Sequence, residues 1–386
     1  MSTAEPGDRA IITAAPESEG PALEELRRAL SAPTSARTVR VSSPARGRED
    51  RATVTPAGRH LQPRRLAPGI FLVSPPGAFE EFSESLRRTQ SIFIRHVQPV
   101  HRDLPVAGTA ADVDLLVAAA IELAPRLCAE QSFSVQTRLL TDAQTSGDAA
   151  SVPGLPYSRF GLNQSLSAAL AQATGTSLDV RQPEQVLSVL LTREAGYLGI
   201  SRVEDNLSSW AGGGIRFARE PGQVSRSEFK LLEALQVFGL ELPSTGRALD
   251  LGASPGGWTR LLRSSGLQVT AVDPGDLDPR LAGDSQIRHV RALAQEYRCG
   301  QGEFDVIVND MRMDARDSAR LMLGYAPCLK STGWVVMTLK LPQQASAQVA
   351  HQAIGLLLRR YRLLGARQLY HNRSEITVAL QRRNEE

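Results

Sequence analysis

The chain has 386 residues, of which 42% are hydrophobic and 22% are charged, and its formal net charge is +3. This length allows two or three domains, each with its own core, and the composition is that of a globular protein. No apolar run is long enough to cross a bilayer, so we expect a cytoplasmic protein without a membrane partner. The small positive charge is compatible with a polyanionic partner but does not establish one.

The N-terminal stretch, residues 1–65, is rich in Ser, Thr, Pro, Ala and Arg and contains few large apolar side chains. Such a composition cannot bury enough apolar surface to fold, which predicts a disordered tail with at most a transient helix from Pro21.

Apolar runs and helical periodicity begin near Leu66. In residues 66–112 and 113–208, short apolar runs alternate irregularly with amphipathic helical stretches, which predicts an α+β region. Residues 209–224 are rich in Gly and Ser and contain a proline, which is typical of a linker.

From Ser225 onwards, apolar strands such as RALDLG, LQVTAVD, EFDVIVND and GWVVMTLK alternate with helical stretches. This alternation predicts an α/β fold over residues 225–386, with a doubly wound, mostly parallel, Rossmann-like sheet. Only Asn372–Ser374 separate the last two strands, so they must form an antiparallel hairpin.

A glycine-rich loop, DLGASPGGW, ends the first of these strands and opens a helix. Glycine lets the backbone approach a ligand closely, and the first turn of a helix offers free amides. At the end of the next strand, Asp273 is placed to accept hydrogen bonds from a ribose diol. These features predict an adenosine-containing cofactor. The residues predicted to bind it are Asp250, Gly252, Ser254, Pro255, Gly256, Gly257, Trp258, Asp273 and Asp310.

Lysine is rare: only Lys230, Lys330 and Lys340 occur among 44 basic residues. An ammonium can lose its proton where a guanidinium cannot, so lysines retained near the glycine loop suggest proton chemistry. Lys340 and Asp310 end parallel strands of the predicted sheet. We expect Lys330 to be an ordinary solvated residue.

Glu375 begins the last, antiparallel strand, and Lys230 lies on the helix before the sheet, so both can reach the edge where Asp310 and Lys340 lie. A neighbouring ammonium eases proton loss from a lysine, and a neutral amine can act as a general base towards a hydroxyl. The alternative reading of these four residues is a surface ion-pair cluster.

The cysteines and histidines show no spacing that is typical of a metal-binding or nucleophilic site. Cys128, Cys299 and Cys328 lie far apart, and the six histidines are scattered. Their spacing predicts ordinary packing cysteines in a reducing compartment and no metal site.

The segments SRSEFKLLEAL, DLGASPGGW, VND, TLKLP and NRSEITV resemble the successive motifs of the FtsJ-like RNA ribose 2′-O-methyltransferases. The resemblance implies S-adenosylmethionine as methyl donor and a nucleotide 2′-hydroxyl as acceptor. It also implies that Lys230, Asp310, Lys340 and Glu375 form the Lys–Asp–Lys–Glu tetrad of that family, with Lys340 as the general base.

A second resemblance lies upstream, where LDVRQPEQVLSVLLTREAGYLGIS is similar to the core of a THUMP domain, an RNA-binding module. Such modules usually follow a ferredoxin-like subdomain, which we assign to residues 66–112, with the THUMP-like domain at 113–208. A THUMP-like module joined to an FtsJ-like domain resembles the RlmM type, which implies large-subunit ribosomal RNA as the partner and a cytidine as the target.

The chain departs from the family in two places. After Asp310 it reads MRMDARDSA, without the usual proline-containing loop, and IRHVRALAQEY lacks the aspartate that many relatives place near the adenine. We therefore expect the adenine to meet backbone near Ala292 and Leu293. Six arginines are candidates for phosphate contacts: Arg312, Arg316, Arg359, Arg360, Arg362 and Arg373.

Three other functions remain open from the sequence. They are 2′-O-methylation of transfer RNA or another RNA, a non-catalytic RNA-binding factor that keeps the fold, and a nicotinamide-dependent dehydrogenase. The last is disfavoured because Ser254-Pro255 stands where the dinucleotide fingerprint has its second glycine. The sequence leaves the oligomeric state open.

Overall fold

The computed structural model describes residues 9–31, 63–140 and 155–383, which form three packed units. The first unit has six elements: β1 (Ala10–Ala14), α1 (Glu19–Ser31), β2 (Arg64–Ala67), β3 (Ile70–Val73), α2 (Phe79–Arg88) and β4 (Ile94–Pro99). Its antiparallel sheet has the strand order β2-β3-β1-β4. This βαββαβ arrangement is that of a ferredoxin-like fold.

The prediction that residues 1–65 are disordered is wrong for the part that the structure describes. Strand β1 lies in the middle of the first sheet, with all five residues buried, and α1 packs on α2. The helical piece at Pro21 is thus a stable helix, because Ala22, Leu26 and Ala29 are buried in the core. The ferredoxin-like unit consequently begins at β1 rather than at residue 66. Arg64 and Arg65 begin β2, and residues 1–8 and 32–62 of the predicted tail lie outside the described residues.

The second unit contains β5 (Arg102–Pro105), α3 (Ala111–Leu123), β6 (Phe133–Leu139), α4 (Arg159–Thr174), β7 (Gln185–Leu191) and β8 (Ala195–Arg202). Its sheet has the order β5-β8-β7-β6, and β5 therefore belongs to this unit rather than to the ferredoxin-like one. Part of the predicted linker, 209–224, packs closely: a Cβ on Gly212 would lie 2.3 Å from the Arg138 guanidinium, and one on Gly213 would lie 3.0 Å from Arg95, whereas residues 218–222 are exposed.

The third unit carries the large sheet. Its elements are α5 (Glu228–Phe238), β9 (Arg247–Leu251), α6 (Gly257–Ser264), β10 (Gln268–Val272), β11 (Ile287–Val290), β12 (Phe304–Asn309), α7 (Ala315–Tyr325), β13 (Leu329–Lys340), α8 (Ser346–Leu357), β14 (Tyr361–Arg367) and β15 (Glu375–Arg382). The strand order is β11-β10-β9-β12-β13-β15-β14. The first five strands are parallel, and β15 runs antiparallel to both its neighbours. The predicted α/β fold and its closing hairpin are confirmed.

The ferredoxin-like unit is docked on the closing hairpin of the large sheet. The amide of Gln368 donates to the carbonyl of Ile92 at 2.7 Å. The guanidinium of Arg95 donates to the carbonyls of Gln368 and Leu369 at 3.0 and 2.8 Å. The segment that leads to Glu375 is therefore held by the N-terminal unit.

The prediction that Cys299 and Cys328 are ordinary packing residues is wrong. Cys299 and Cys328 form a disulfide, with their Cα atoms 5.9 Å apart. The reason is tertiary: the loop after β11 folds against the turn before β13, where the Gly302 amide donates to the Pro327 carbonyl. Cys128 is free and exposed.

In the described part of the chain, no helix combines the length and apolar character that a bilayer crossing requires. Those same residues contain no grouping of three or more His, Cys, Asp or Glu side chains that could hold a metal ion.

His96 on β4 makes the stability of the protein sensitive to acid. It is 1% exposed, and neither ring nitrogen has a hydrogen-bond partner among the described residues. Burial, followed by the charges of Arg138 and Arg367, lowers its pKa to about 3. The unfolded chain takes up this proton near pH 6.5 and the folded chain does not, so stability falls as the pH drops below 6.5.

Between pH 7.5 and pH 5 we expect His96 alone to remove about 2 kcal/mol from the free energy of unfolding. Denaturant unfolding at the two pH values should therefore show a smaller acid-induced loss for His96→Leu than for the wild type. His351→Gln, at an exposed position, is the matched control. An equal pH dependence in His96→Leu and wild type would contradict the assignment of this sensitivity to His96.

Candidate active site

Four charged side chains meet at the carboxyl edge of the large sheet because of how the strands end there. Asp310 directly follows β12, and Lys340 is the last residue of β13. Glu375 is the first residue of the antiparallel β15 and is the register partner of Lys340. Lys230 reaches the same point from α5. The structure thus brings together all four residues that the sequence analysis grouped.

The four side chains form a closed ring of ion pairs. The Asp310 carboxylate accepts from Lys340 Nζ at 2.7 Å and from Lys230 Nζ at 3.2 Å. Glu375 accepts from Lys230 Nζ at 2.5 Å through Oε1 and from Lys340 through Oε2. Each carboxylate therefore bridges both ammonium groups, and all four side chains are at least three-quarters buried.

Neighbouring polar groups fix the two carboxylates in place. Thr338 Oγ1 donates to Asp310 Oδ1 at 2.7 Å. Asn372 lies 3.5 Å from Glu375 and itself accepts from Thr377 Oγ1 and from the Leu369 amide. Neither Thr338 nor Asn372 is among the site residues predicted from the sequence. Both lie within three residues of a tetrad member, which is the signal that could have found them.

The mutual attraction in this cluster outweighs the cost of burial. Burial by itself would raise the pKa of Asp310, but Lys340 and Lys230 lower it below the ordinary value overall. Burial would likewise lower the pKa of Lys230, but Asp310 and Glu375 raise it above the ordinary value. Asp310 is therefore held ionised and Lys230 is held protonated near neutral pH.

The glycine loop lies next to the tetrad because β9 and β12 are neighbours. Gly252 has φ +77°, and a Cβ there would lie 2.5 Å from Met311 Cγ. Gly256 has φ +108° and caps α6, so only glycine suits both turns. Asp250, at 2% exposure, accepts from Thr259 Oγ1 at 2.6 Å, and its burial raises its pKa to about 7.

The other residues predicted to bind the cofactor have distinct surroundings. Asp273 accepts from the Ser254 amide at 3.1 Å and from the Gly275 amide at 2.7 Å. Trp258 is buried, and its indole donates to the Ser227 carbonyl at 2.7 Å. Gly257 opens α6, where a Cβ would lie 2.3 Å from Ser225 Oγ.

Pro255 lies in the same loop, after a cis Ser254–Pro255 peptide bond. Ala292 follows β11 at the same edge of the sheet, where its amide donates to the Val290 carbonyl.

One cavity of about 1100 Å³ joins the glycine loop to the tetrad and continues to the N-terminal units. Asp250, Ser254 and Pro255 line its glycine-loop end, and the tetrad lies further along it. Asp273, Gly256, Gly257 and Ala292 are not among its lining residues. The end of the cavity farthest from the glycine loop is lined by residues of the ferredoxin-like unit, of the second unit and of the segment 211–214.

The predicted phosphate contacts fall into two groups. Arg312 and Arg373 are exposed and line the cavity. The other four do not line it: Arg316 is paired with Asp314, Arg362 donates to Gln381 near the end of β15, and Arg359 and Arg360 are exposed after α8. Arg95 and Arg138, which the sequence analysis did not consider, also line the cavity because β4 and β6 reach it.

A family model described as FtsJ-like methyltransferase matches residues 223–345, which confirms the resemblance drawn from the motifs. Ribosomal RNA large subunit methyltransferase M of Halorhodospira halophila is 37% identical over 242 residues, covering 59% of this chain and 67% of that protein. The protein of the same name from Marinobacter nauticus is 35% identical over 206 residues, covering 50% and 57%. The chain thus spans about two thirds of the first relative and a little over half of the second.

Among solved structures, TrmN from Thermus thermophilus covers 97% of this chain and 99% of its own, with 18% identity and a TM-score of 0.35. A Burkholderia thailandensis 1,6-didemethyltoxoflavin-N1-methyltransferase covers 41% and 78%, with 16% identity and a TM-score of 0.32. TM-scores this low carry no argument about function.

Proposed function

The chain belongs to the ribosomal RNA large subunit methyltransferase M family, and on this premise we propose that it methylates the 2′-hydroxyl of a ribose in large-subunit ribosomal RNA. The observation that carries the proposal is the buried ring of Lys230, Asp310, Lys340 and Glu375 beside a glycine loop. The THUMP-like assignment of the second unit and a cytidine target are part of the same proposal.

The residues at the glycine-loop end of the cavity suit S-adenosylmethionine. Gly252 places no side chain in the turn after β9, and beside that end of the cavity Asp273 keeps lone pairs for a ribose diol after accepting one amide on each oxygen. When bound, this cofactor supplies an electrophilic methyl group on a sulfonium. Asp250, Ser254 and Pro255 would hold it against the tetrad.

The protein has two tasks in this reaction: to position a hydroxyl and to take its proton. Asp310 and Glu375 orient the Lys340 amine, and Lys230 retains its own proton. We assign Lys340 as the general base: its ammonium first releases a proton to solvent, and the neutral amine then takes the proton of the 2′-hydroxyl as that oxygen is alkylated. Once Lys340 has taken up the proton, the tetrad again contains two carboxylates and two ammonium groups. Holding the reactants in line can supply much of the remaining rate.

The proposal is tested by incubating the protein with methyl-labelled S-adenosylmethionine and large-subunit RNA that lacks its own modifications. We expect one labelled nucleotide whose 3′ phosphodiester resists alkaline cleavage, because a 2′-O-methyl group blocks attack by that oxygen. Label on a base would exclude ribose methylation. Label on transfer RNA alone would show that transfer RNA, and not large-subunit ribosomal RNA, is the substrate. If no RNA is labelled, the result favours a non-catalytic RNA-binding factor.

A further inference from the structure

Four half-buried aromatic rings lie together beside the tetrad. Phe217 and Phe229 are nearly parallel, at an interplanar angle of 18° and a centroid distance of 5.8 Å. The His371 ring lies 5.3 Å from Phe229 and 5.3 Å from Tyr370, which it meets edge to face. Phe229 directly precedes Lys230, and His371 lies four residues before Glu375, so the same segments carry the rings and the tetrad.

A buried glutamate holds two of these rings in a fixed position. Glu233, one turn after Phe229 on α5, is 2% exposed. Its carboxylate accepts from the amides of Tyr370 and His371 at 2.7 and 2.9 Å, and from His371 Nδ1 at 2.7 Å. The turn before β15 is thus tied to α5, and the rings are ordered before any ligand binds.

Three of the four rings line the cavity that contains the tetrad: Phe229, Tyr370 and His371. Cationic residues outnumber acidic ones in the same lining. The cations are Arg95, Arg138, Arg226, Lys230, Arg312, Lys340 and Arg373, and the acids are Glu17, Asp250, Asp310 and Glu375. Two of the acids are neutralised by the tetrad lysines, so the acceptor end of the cavity carries positive charge next to aromatic surface. That combination suits a nucleotide with its phosphates.

We infer that Phe229, Tyr370 and His371 form the site for the base of the nucleotide that is methylated. The inference rests on the proposed function, since it names where the acceptor of that reaction is held. The base stacks on these rings while its ribose reaches Lys340, which requires an unpaired nucleotide. This site could not be predicted from the sequence because the rings come from a helix and a turn that are more than a hundred residues apart.

The experiment compares one ring substitution on two RNAs. Phe229→Leu keeps an apolar side chain but removes the stacking face. The RNAs are the shortest large-subunit fragment that the wild-type protein methylates and the same fragment with an abasic residue at the methylated position. Dissociation constants are measured at fixed salt with the methyl donor's demethylated product present. We expect Phe229→Leu to weaken binding of the intact RNA by about 5- to 100-fold and to leave binding of the abasic RNA unchanged.

Two further variants separate stacking from packing. Phe229→Tyr retains the ring and should bind like the wild type, while Val237→Ala shortens a side chain that is 43% exposed at the other end of α5 and should have no effect. If Phe229→Leu weakens the binding of both RNAs equally, or of neither, the assignment of the base site is wrong. The rings then only pack the turn against α5. If the wild-type protein transfers no label to any RNA, the proposed function fails instead.

Discussion

The Lys340→Arg protein is expected to bind S-adenosylmethionine as the wild type does but to transfer methyl groups about 10²- to 10⁴-fold more slowly. Arginine keeps the positive charge that Asp310 and Glu375 bind, so the ion-pair ring can persist. A guanidinium, however, does not give up its proton near neutral pH and cannot accept one from the substrate hydroxyl. The variant therefore tests whether the reaction needs only the positive charge of residue 340 or also its ability to accept a proton.

This prediction is measured as a single-turnover rate with saturating RNA and donor, together with donor affinity by calorimetry. Lys330→Arg is the matched control, since Lys330 pairs only with Asp305 in the described contacts, at the opposite end of β13. Its rate should equal that of the wild type. The single-turnover rate of Lys230→Arg should fall less than that of Lys340→Arg, because Lys230 keeps its proton in the assigned mechanism. Normal turnover by Lys340→Arg would show that Lys340 is not the general base.

The meeting of the tetrad residues could be predicted from sequence because sheet topology determines it. Parallel strands end at one edge, so Asp310 and Lys340 had to be neighbours once β12 and β13 were recognised. The short turn before Glu375 required a hairpin, and the hairpin placed Glu375 at the same edge. Local patterns were sufficient because Asp310, Lys340 and Glu375 each lie within one position of a strand end, and Lys230 lies on the helix directly before the sheet.

The first strand and helix could not be predicted in the same way. The five-residue AIITA becomes a strand only because β3 and β4, more than fifty residues later, pair with it on both sides. Its proline-containing surroundings resemble a flexible tail, and tertiary pairing outweighs that local signal. The Cys299–Cys328 disulfide and the contact between Glu233 and His371 were missed for the same reason: their partners meet only in the folded chain.

Glu25, on α1, has the second large expected effect. It is 3% exposed, and its carboxylate accepts from three successive amides, Ile92 at 2.8 Å, Phe93 at 2.9 Å and Ile94 at 3.3 Å. Burial raises its pKa, while the three amides act in the opposite direction. We expect Glu25→Ala to lower the free energy of unfolding by about 3 to 5 kcal/mol, because it leaves these buried amides without an acceptor.

Urea unfolding and hydrogen exchange at the amides of residues 92–94 measure this effect. Glu24→Ala removes the same charge one residue earlier at an exposed position and should change stability by less than about 0.5 kcal/mol. Glu25→Gln, which keeps one acceptor oxygen, should fall between the two. Equal stabilities of Glu24→Ala and Glu25→Ala would show that the amides find other partners. Because Ile92 and Arg95 hold the segment before Glu375, Glu25→Ala should also slow methyl transfer, which would link the N-terminal unit to the active site through one buried carboxylate.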